Sequence, residues 1–248
     1  MVGAARWQMG LNVYDNGAVM FDDTHQKRVN TSLQDNPTVS QVGGIKVRHV
    51  YRRNRTGDRD RDGNPLIYAL KGINGYSIVP MYRAMFMNRA AEILTTFVDE
   101  LRVDAILPVP SSKAFCGEFA AMVGEVAGVP VVEPDFLGKR TVAEMLDQYG
   151  DKLPDGLSGT TLRSYKSQLA DWRRLSGGQL VSMKDLDTHI RPYFDPLAMR
   201  GDATHMDGLR VIIADDLVSS GASISATALR LQDVGAEVVS AVSFLSGL

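Results

Sequence analysis

The sequence predicts an α/β protein: an open, mainly parallel twisted sheet flanked by helices, with a β-rich N-terminal appendage. Three stretches carry that expectation. Val211-Ile212-Ile213-Ala214 is a short apolar run bounded by charge, which suits a strand buried on both faces. It is followed by Asp215-Asp216, a small-residue loop from Ser219 to Ser223, and a helical pattern through Ile224, Ala228 and Leu231. Asp104 to Pro110 repeats the same grammar: an apolar strand, then Ser111-Ser112-Lys113, then a helix to about Ala127 with Phe115, Phe119, Met122, Val123 and Val126 on one face. Val238 to Leu245 supplies a further apolar strand after the turn Gly235-Ala236-Glu237.

The remaining elements follow in order. Leu11–Tyr14 and Ala18–Phe21 flank Asp15-Asn16-Gly17, a favoured hairpin turn. Residues 22–44 are polar and are expected to form a loop. A second β pair is expected from Ile45–Arg53 and Leu66–Leu70, with 54–65 as its tip. A helical region spans Tyr76 to Leu101, where Ala84, Asn88, Ala91, Thr95 and Val98 recur at helical spacing. Residues 128–132 form a short strand candidate, Val142–Gln148 a short helix, and a further helix passes through Tyr165, Leu169 and Trp172. The expected division is an appendage over 1–75 and a core over 76–248 with an insert at about 150–200.

Composition narrows the class. A chain of 248 residues, 44% hydrophobic, can bury a full core. A formal net charge of -2 gives no global attraction to nucleic acid or an anionic surface. No apolar run approaches membrane-spanning length, and the single cysteine, Cys116, excludes an internal disulfide and any CxxC zinc pattern, which suits a reducing cytoplasm. The tip 54–65 imitates an EF-hand through Asp58, Asp60, Asp62 and Gly63, but Ala69 stands where the bidentate acid belongs, so calcium is rejected. Arg48, Arg52, Arg53, Arg55, Arg59 and Arg61 suggest a basic ribbon, yet alternating aspartates cancel most of its field. His189 has no second histidine at metal-ligand spacing.

The chemistry concentrates in the two strand-loop-helix units. Backbone N–H groups at a helix N-terminus, hydroxyl side chains and a glycine that lets the backbone approach closely make an anion cradle. Asp215 and Asp216 beside such a cradle repel a bare phosphate, so they suit the diol of a sugar or a Mg²⁺ ion. Together these describe a ribose 5-phosphate site.

Four apolar residues, two acids, two apolar residues and a hydroxyl-Gly-x-hydroxyl loop resemble the phosphoribosyl-diphosphate (PRPP) signature of type I phosphoribosyltransferases. The resemblance implies a phosphoribosyltransferase-type sheet in which Asp215 and Asp216 contact the ribose. It places the 5-phosphate on Ser219, Ser220, Gly221, Ala222 and Ser223, and the pyrophosphate on Ser111, Ser112 and Lys113. Lys139 and Arg140 fall where the family carries a mobile basic loop. Asn64 to Gly72, a long helix, and Ile106 to Pro110 are similar to the ComF-type branch, here without its N-terminal zinc module. The implied activity is that of a Mg²⁺-dependent pentosyltransferase moving phosphoribose from PRPP to a nitrogenous base with release of pyrophosphate. The alternative is a regulatory protein of the same fold that senses PRPP or a nucleotide and contacts nucleic acid or protein. The expected partners are PRPP and a base or nucleotide, with a homodimer allowed and no membrane. A hood over the base is expected from the N-terminal β region or from the insert between Gly150 and Arg200.

Overall fold

A computed structural model of the chain describes residues 10–22, 24–25, 27–54, 63–182 and 185–246. Its centre is a six-stranded sheet. Four parallel strands, β5 (Ile45–Arg53), β11 (Glu237–Ser246), β10 (Arg210–Val218) and β7 (Ala105–Pro108), lie side by side in that order. Two short antiparallel strands, β3 (Val29–Asn30) and β4 (Thr38–Val42), pair with β5 at the edge. The expected α/β class and mainly parallel sheet are therefore present.

The apolar runs of β7 and β10 are continuous because both sheet faces are covered. Ile212 and Ala214 enter one core with Phe86, Phe115, Phe119 and Phe244. Val211 and Ile213 enter the other with Ile224, Ala228 and Leu231. Period-two alternation thus splits one short run between two cores, each closed by helices. The first core is covered by α1 (Asn64–Lys71), α2 (Pro80–Thr95) and α3 (Ala114–Ala127), the second by α6 (Ala222–Asp233).

Several expectations are corrected. Leu66–Leu70 lies in helix α1: Pro65 sits in its first turn and Gly72 closes it in the left-handed conformation at φ 61°. β5 pairs with β11 in the main sheet and not with 66–70. The polar segment 22–44 contains β3 and β4, and Gly43-Gly44 turn β4 into β5. Residues 128–132 make only an isolated bridge, Val131 to Ile106. The helical region 76–101 narrows to α2 plus a 3-10 turn over Val98–Leu101, because Pro80 sets its start. β10 does not end before the acids but runs through them to Val218, and α6 starts at Ala222.

The expected hairpin forms as β1 (Gly10–Val13) and β2 (Ala18–Asp22), with Leu11 opposite Phe21. β6 (Ser77–Ile78) joins it parallel to β2. The tip residues 55–62, with their arginines and aspartates, lie outside the described residues. Arg48 donates to Ser240 and lies 5.4 Å from the centre of the Phe97 ring, and Arg53 is buried, so neither presents its charge outward.

A separate body rises from a two-stranded stem, β8 (Leu137–Lys139) against β9 (Leu197–Met199). Between the two strands, α4 (Val142–Tyr149) and α5 (Gly159–Trp172) enclose a third core of Val142, Met145, Tyr165, Leu169, Trp172 and Phe194. The Tyr165 and Phe194 rings stack at 4.7 Å. Thr141 opens α4 with a reciprocal capping box to Glu144. Arg200, just past β9, grips both Glu144 oxygens at 2.7 Å and holds that carboxyl down at about 2. No helix among the described residues is long and apolar enough to cross a membrane.

Candidate functional site

The parallel register brings the two loops together. Ala214 pairs with Pro108, so the segments leaving β10 and β7 emerge from the same end of neighbouring strands. The Val109 N–H continues the ladder by donating to Ala214 O at 2.9 Å. Beneath both loops, the Cys116 thiol lies 3.7 Å from the carbonyl oxygens of Val109 and of Ala214. It is 1% exposed, and burial first, then the charges of Asp215 and Asp216, push its pKa far up. Cys116 is thus a packed tether and no nucleophile. In the native protein it is expected to resist iodoacetamide for hours and to react fully in about 6 M guanidinium; stoichiometric labelling under native conditions would contradict this placement.

Between the loops lies a cleft of about 270 Å³ walled by Lys71, Ser111, Ser112, Lys113, Lys139 and Ser223. Val181, Pro196 and Leu197 from the stem and insert close its far side. With Ser182 also in the wall, three lysines from separate parts of the chain converge with four hydroxyls, an arrangement that suits a polyanion. Ser111 Oγ accepts from the Lys113 N–H at 3.2 Å, which shapes the turn before α3.

The acids stand behind this wall. Asp215 and Asp216 are 7% and 5% exposed, and neither lines the cleft directly. Asp216 is clasped by Lys71, whose ammonium lies 2.8 Å from Oδ1 and 2.7 Å from Oδ2. Among the described residues, no cation pairs with Asp215 in this way. Burial, and after it the charge of Asp216, raise its pKa well above the usual carboxylate range, against smaller lowering from Lys71 and the backbone N–H groups of Leu217 and Asp216.

The small-residue loop divides between two places. Ser223 faces the cleft, whereas Ser220 and Ala222 line a second crevice of about 460 Å³ against Tyr149, Arg191 and Phe194 of the insert. Arg191 Nη1 lies 3.4 Å from Ser219 Oγ. Gly221 caps α6 at φ 76°, and a side chain there would run into Val42.

Of the other expected residues, Lys139 faces the cleft and Arg140 does not. Arg140 turns to Asp195, 3.8 Å away, where Arg230 also binds at 3.2 Å. The sequence expectations omitted Lys71, which follows an apolar run and precedes Gly72 with no local sign of its distant partner.

No protein-family model matches the chain, and no curated protein matches it. Among solved structures, the chain is similar to adenine phosphoribosyltransferases. One from Saccharomyces cerevisiae is 13% identical at a TM-score of 0.35, covering 64% of this chain and 68% of that one. One from Thermoanaerobacter pseudethanolicus is 16% identical at 0.37, covering 86% and 97%. One from Leishmania tarentolae is 12% identical at 0.37, covering 96% and 94%. Identities and scores are low throughout, and the chemistry of the cleft rests on its own residues.

Proposed function

We propose that this protein is a phosphoribosyltransferase that takes PRPP and passes its phosphoribosyl group to a nitrogenous base, releasing pyrophosphate. The observation that carries the proposal is the meeting of Ser111–Lys113 with Ser223, Lys71 and Lys139 in one cleft, immediately in front of an Asp-Asp pair. One loop suits the diphosphate, the other the 5-phosphate, and the acids between them suit the ribose hydroxyls. The narrower likeness to the ComF-type branch rests on sequence motifs alone.

In the transfer, the bond from ribose C1 to the diphosphate oxygen breaks and a bond from C1 to a base nitrogen forms. The electron pair leaves with the diphosphate, and the nitrogen gives up a proton where it carries one. Ribose C1 passes through a cation-like state, so these residues act by orientation and electrostatics with no covalent intermediate. Lys113 and Lys139 draw charge toward the leaving diphosphate, the Asp215 and Asp216 side chains hold the sugar hydroxyls, and the Asp216 carboxylate favours the developing positive charge. Mg²⁺ would enter on the diphosphate, with Ser111, Ser112 and Lys113 holding that diphosphate and the Asp216 carboxylate behind them, and it would neutralise charge on the leaving group.

Calorimetry with Mg²⁺-PRPP is expected to give saturable binding, and a purine and pyrimidine panel is expected to reveal pyrophosphate release that depends on the base. No PRPP binding would reject the proposal. A second reading, a PRPP-sensing regulator, is favoured by the burial of both acids and by Lys71 occupying Asp216. It predicts binding with no turnover on any base.

A further inference from the structure

Lys71 belongs to two sites at once. Its ammonium is held at 2.7 and 2.8 Å by the two oxygens of Asp216, and its side chain also walls the cleft beside Ser111, Ser112, Lys113 and Lys139. The two side chains are 18% and 7% exposed, so the pair is largely withdrawn from water. A pair so sheltered returns little net stability, because desolvation offsets most of the Coulomb attraction. Its placement is better explained by what comes next to it. Lys71 is the last residue of α1, and Gly72 turns the chain away in the left-handed conformation. The ammonium is thus a compact charge on a flexible four-carbon stem with three donors.

Asp216 and a polyanion in the cleft want different things from this lysine. A sugar diol donates hydrogen bonds to a carboxylate, satisfying its lone pairs without needing a cation there. A diphosphate carries several negative charges and attracts every cation within reach.

We infer that Lys71 is a transferable cation: Asp216 holds it until a ribose diol takes over that carboxylate, whereupon the ammonium passes to the diphosphate cradled by Ser111–Lys113. This rests on the PRPP reading and deepens it. Lys71 acts as the device that makes diol and diphosphate binding cooperative. A ligand carrying both groups gains the full benefit, whereas pyrophosphate alone must strip the lysine from Asp216.

The test is calorimetry on the full chain with three probes, Mg²⁺-PRPP, Mg²⁺-pyrophosphate and ribose 5-phosphate. Lys71→Met is expected to weaken PRPP by about 10- to 100-fold, the loss of one charge-assisted contact, while leaving ribose 5-phosphate within about threefold. Asp216→Asn carries the sharper expectation, because it frees the lysine. It should tighten pyrophosphate by about threefold or more and weaken ribose 5-phosphate. Equal losses for all probes in Lys71→Met, or weaker pyrophosphate binding in Asp216→Asn, would overturn the transfer. If Lys71→Met does not fold, the reversed sign in Asp216→Asn still decides. Failure of the unaltered protein to bind PRPP would instead remove the PRPP reading itself.

Discussion

Asp215→Asn is expected to stabilise the protein at pH 8 by about 2 kcal/mol, with the gain shrinking as the pH falls toward 4. The cause lies in the environment of this carboxyl. It is 7% exposed, it adjoins the charge of Asp216, and the nearby lysine is committed to that neighbour. Its native pKa is therefore raised above the unfolded value. Between the two values the native state binds the proton and the unfolded state does not, so stability is full below the unfolded pKa and declines as pH rises through the native one. Asparagine keeps the shape and an acceptor for the backbone N–H groups of Leu217 and Asp216 while removing the titration. Asp216→Asn should act in the opposite direction, lowering stability by about 1–2 kcal/mol at pH 8, because it leaves the largely sheltered Lys71 with its carboxylate gone. Urea unfolding of both variants at pH 5 and pH 8 separates the cases. A pH-independent difference for Asp215→Asn would mean that the native carboxyl is ionised.

The two strand-loop-helix units were legible because their determinants are local. A four-residue apolar run suits a doubly covered strand, and hydroxyls and glycine mark the turn that follows it. Their convergence into one cleft also follows from a general rule for open parallel sheets, since β7 and β10 are neighbours. α1 is hard to read from sequence for the complementary reason. Leu66 to Leu70 is too short and too uniformly apolar for periodicity to separate helix from strand. The flanking Pro65 and Gly72 held the answer, as start and stop signals. β4, with Thr38, Ser40 and Gln41 outnumbering its two valines, looks like loop until its pairing with β5 is known. Lys139 and Arg140 could not both serve one cleft, because successive residues on extended chain point to opposite sides. Lys71 was beyond the reach of pattern, since its partner Asp216 lies 145 residues away.

Gly221→Ala is expected to be the most damaging single-methyl change in the site. Two independent costs meet there. The backbone holds φ 76° and ψ 1° at the cap of α6, a conformation that costs an L-residue about 1 kcal/mol or more. The added Cβ would also stand within 3.0 Å of both Val42 methyl carbons, in a core position 7% exposed. Overpacking of that kind costs a further 1–3 kcal/mol, so about 3 kcal/mol of stability is the expected loss. Because the alternative to that loss is a shift of Ser219–Ser223 away from β4, PRPP affinity should also fall, and phosphoribosyl transfer should slow by about 100-fold if the loop moves by an ångström. The two costs can be separated through Val42. Trimming it to alanine removes the two methyls that would clash, leaves its Cβ at 3.1 Å and does not touch the dihedral penalty, so Val42→Ala/Gly221→Ala should recover about 1–2 kcal/mol relative to additivity. Strict additivity in urea unfolding would show that Val42 is not what fixes the loop. Full recovery of PRPP affinity in the double variant would show that close packing against β4, more than the left-handed turn, sets the geometry of the phosphate cradle.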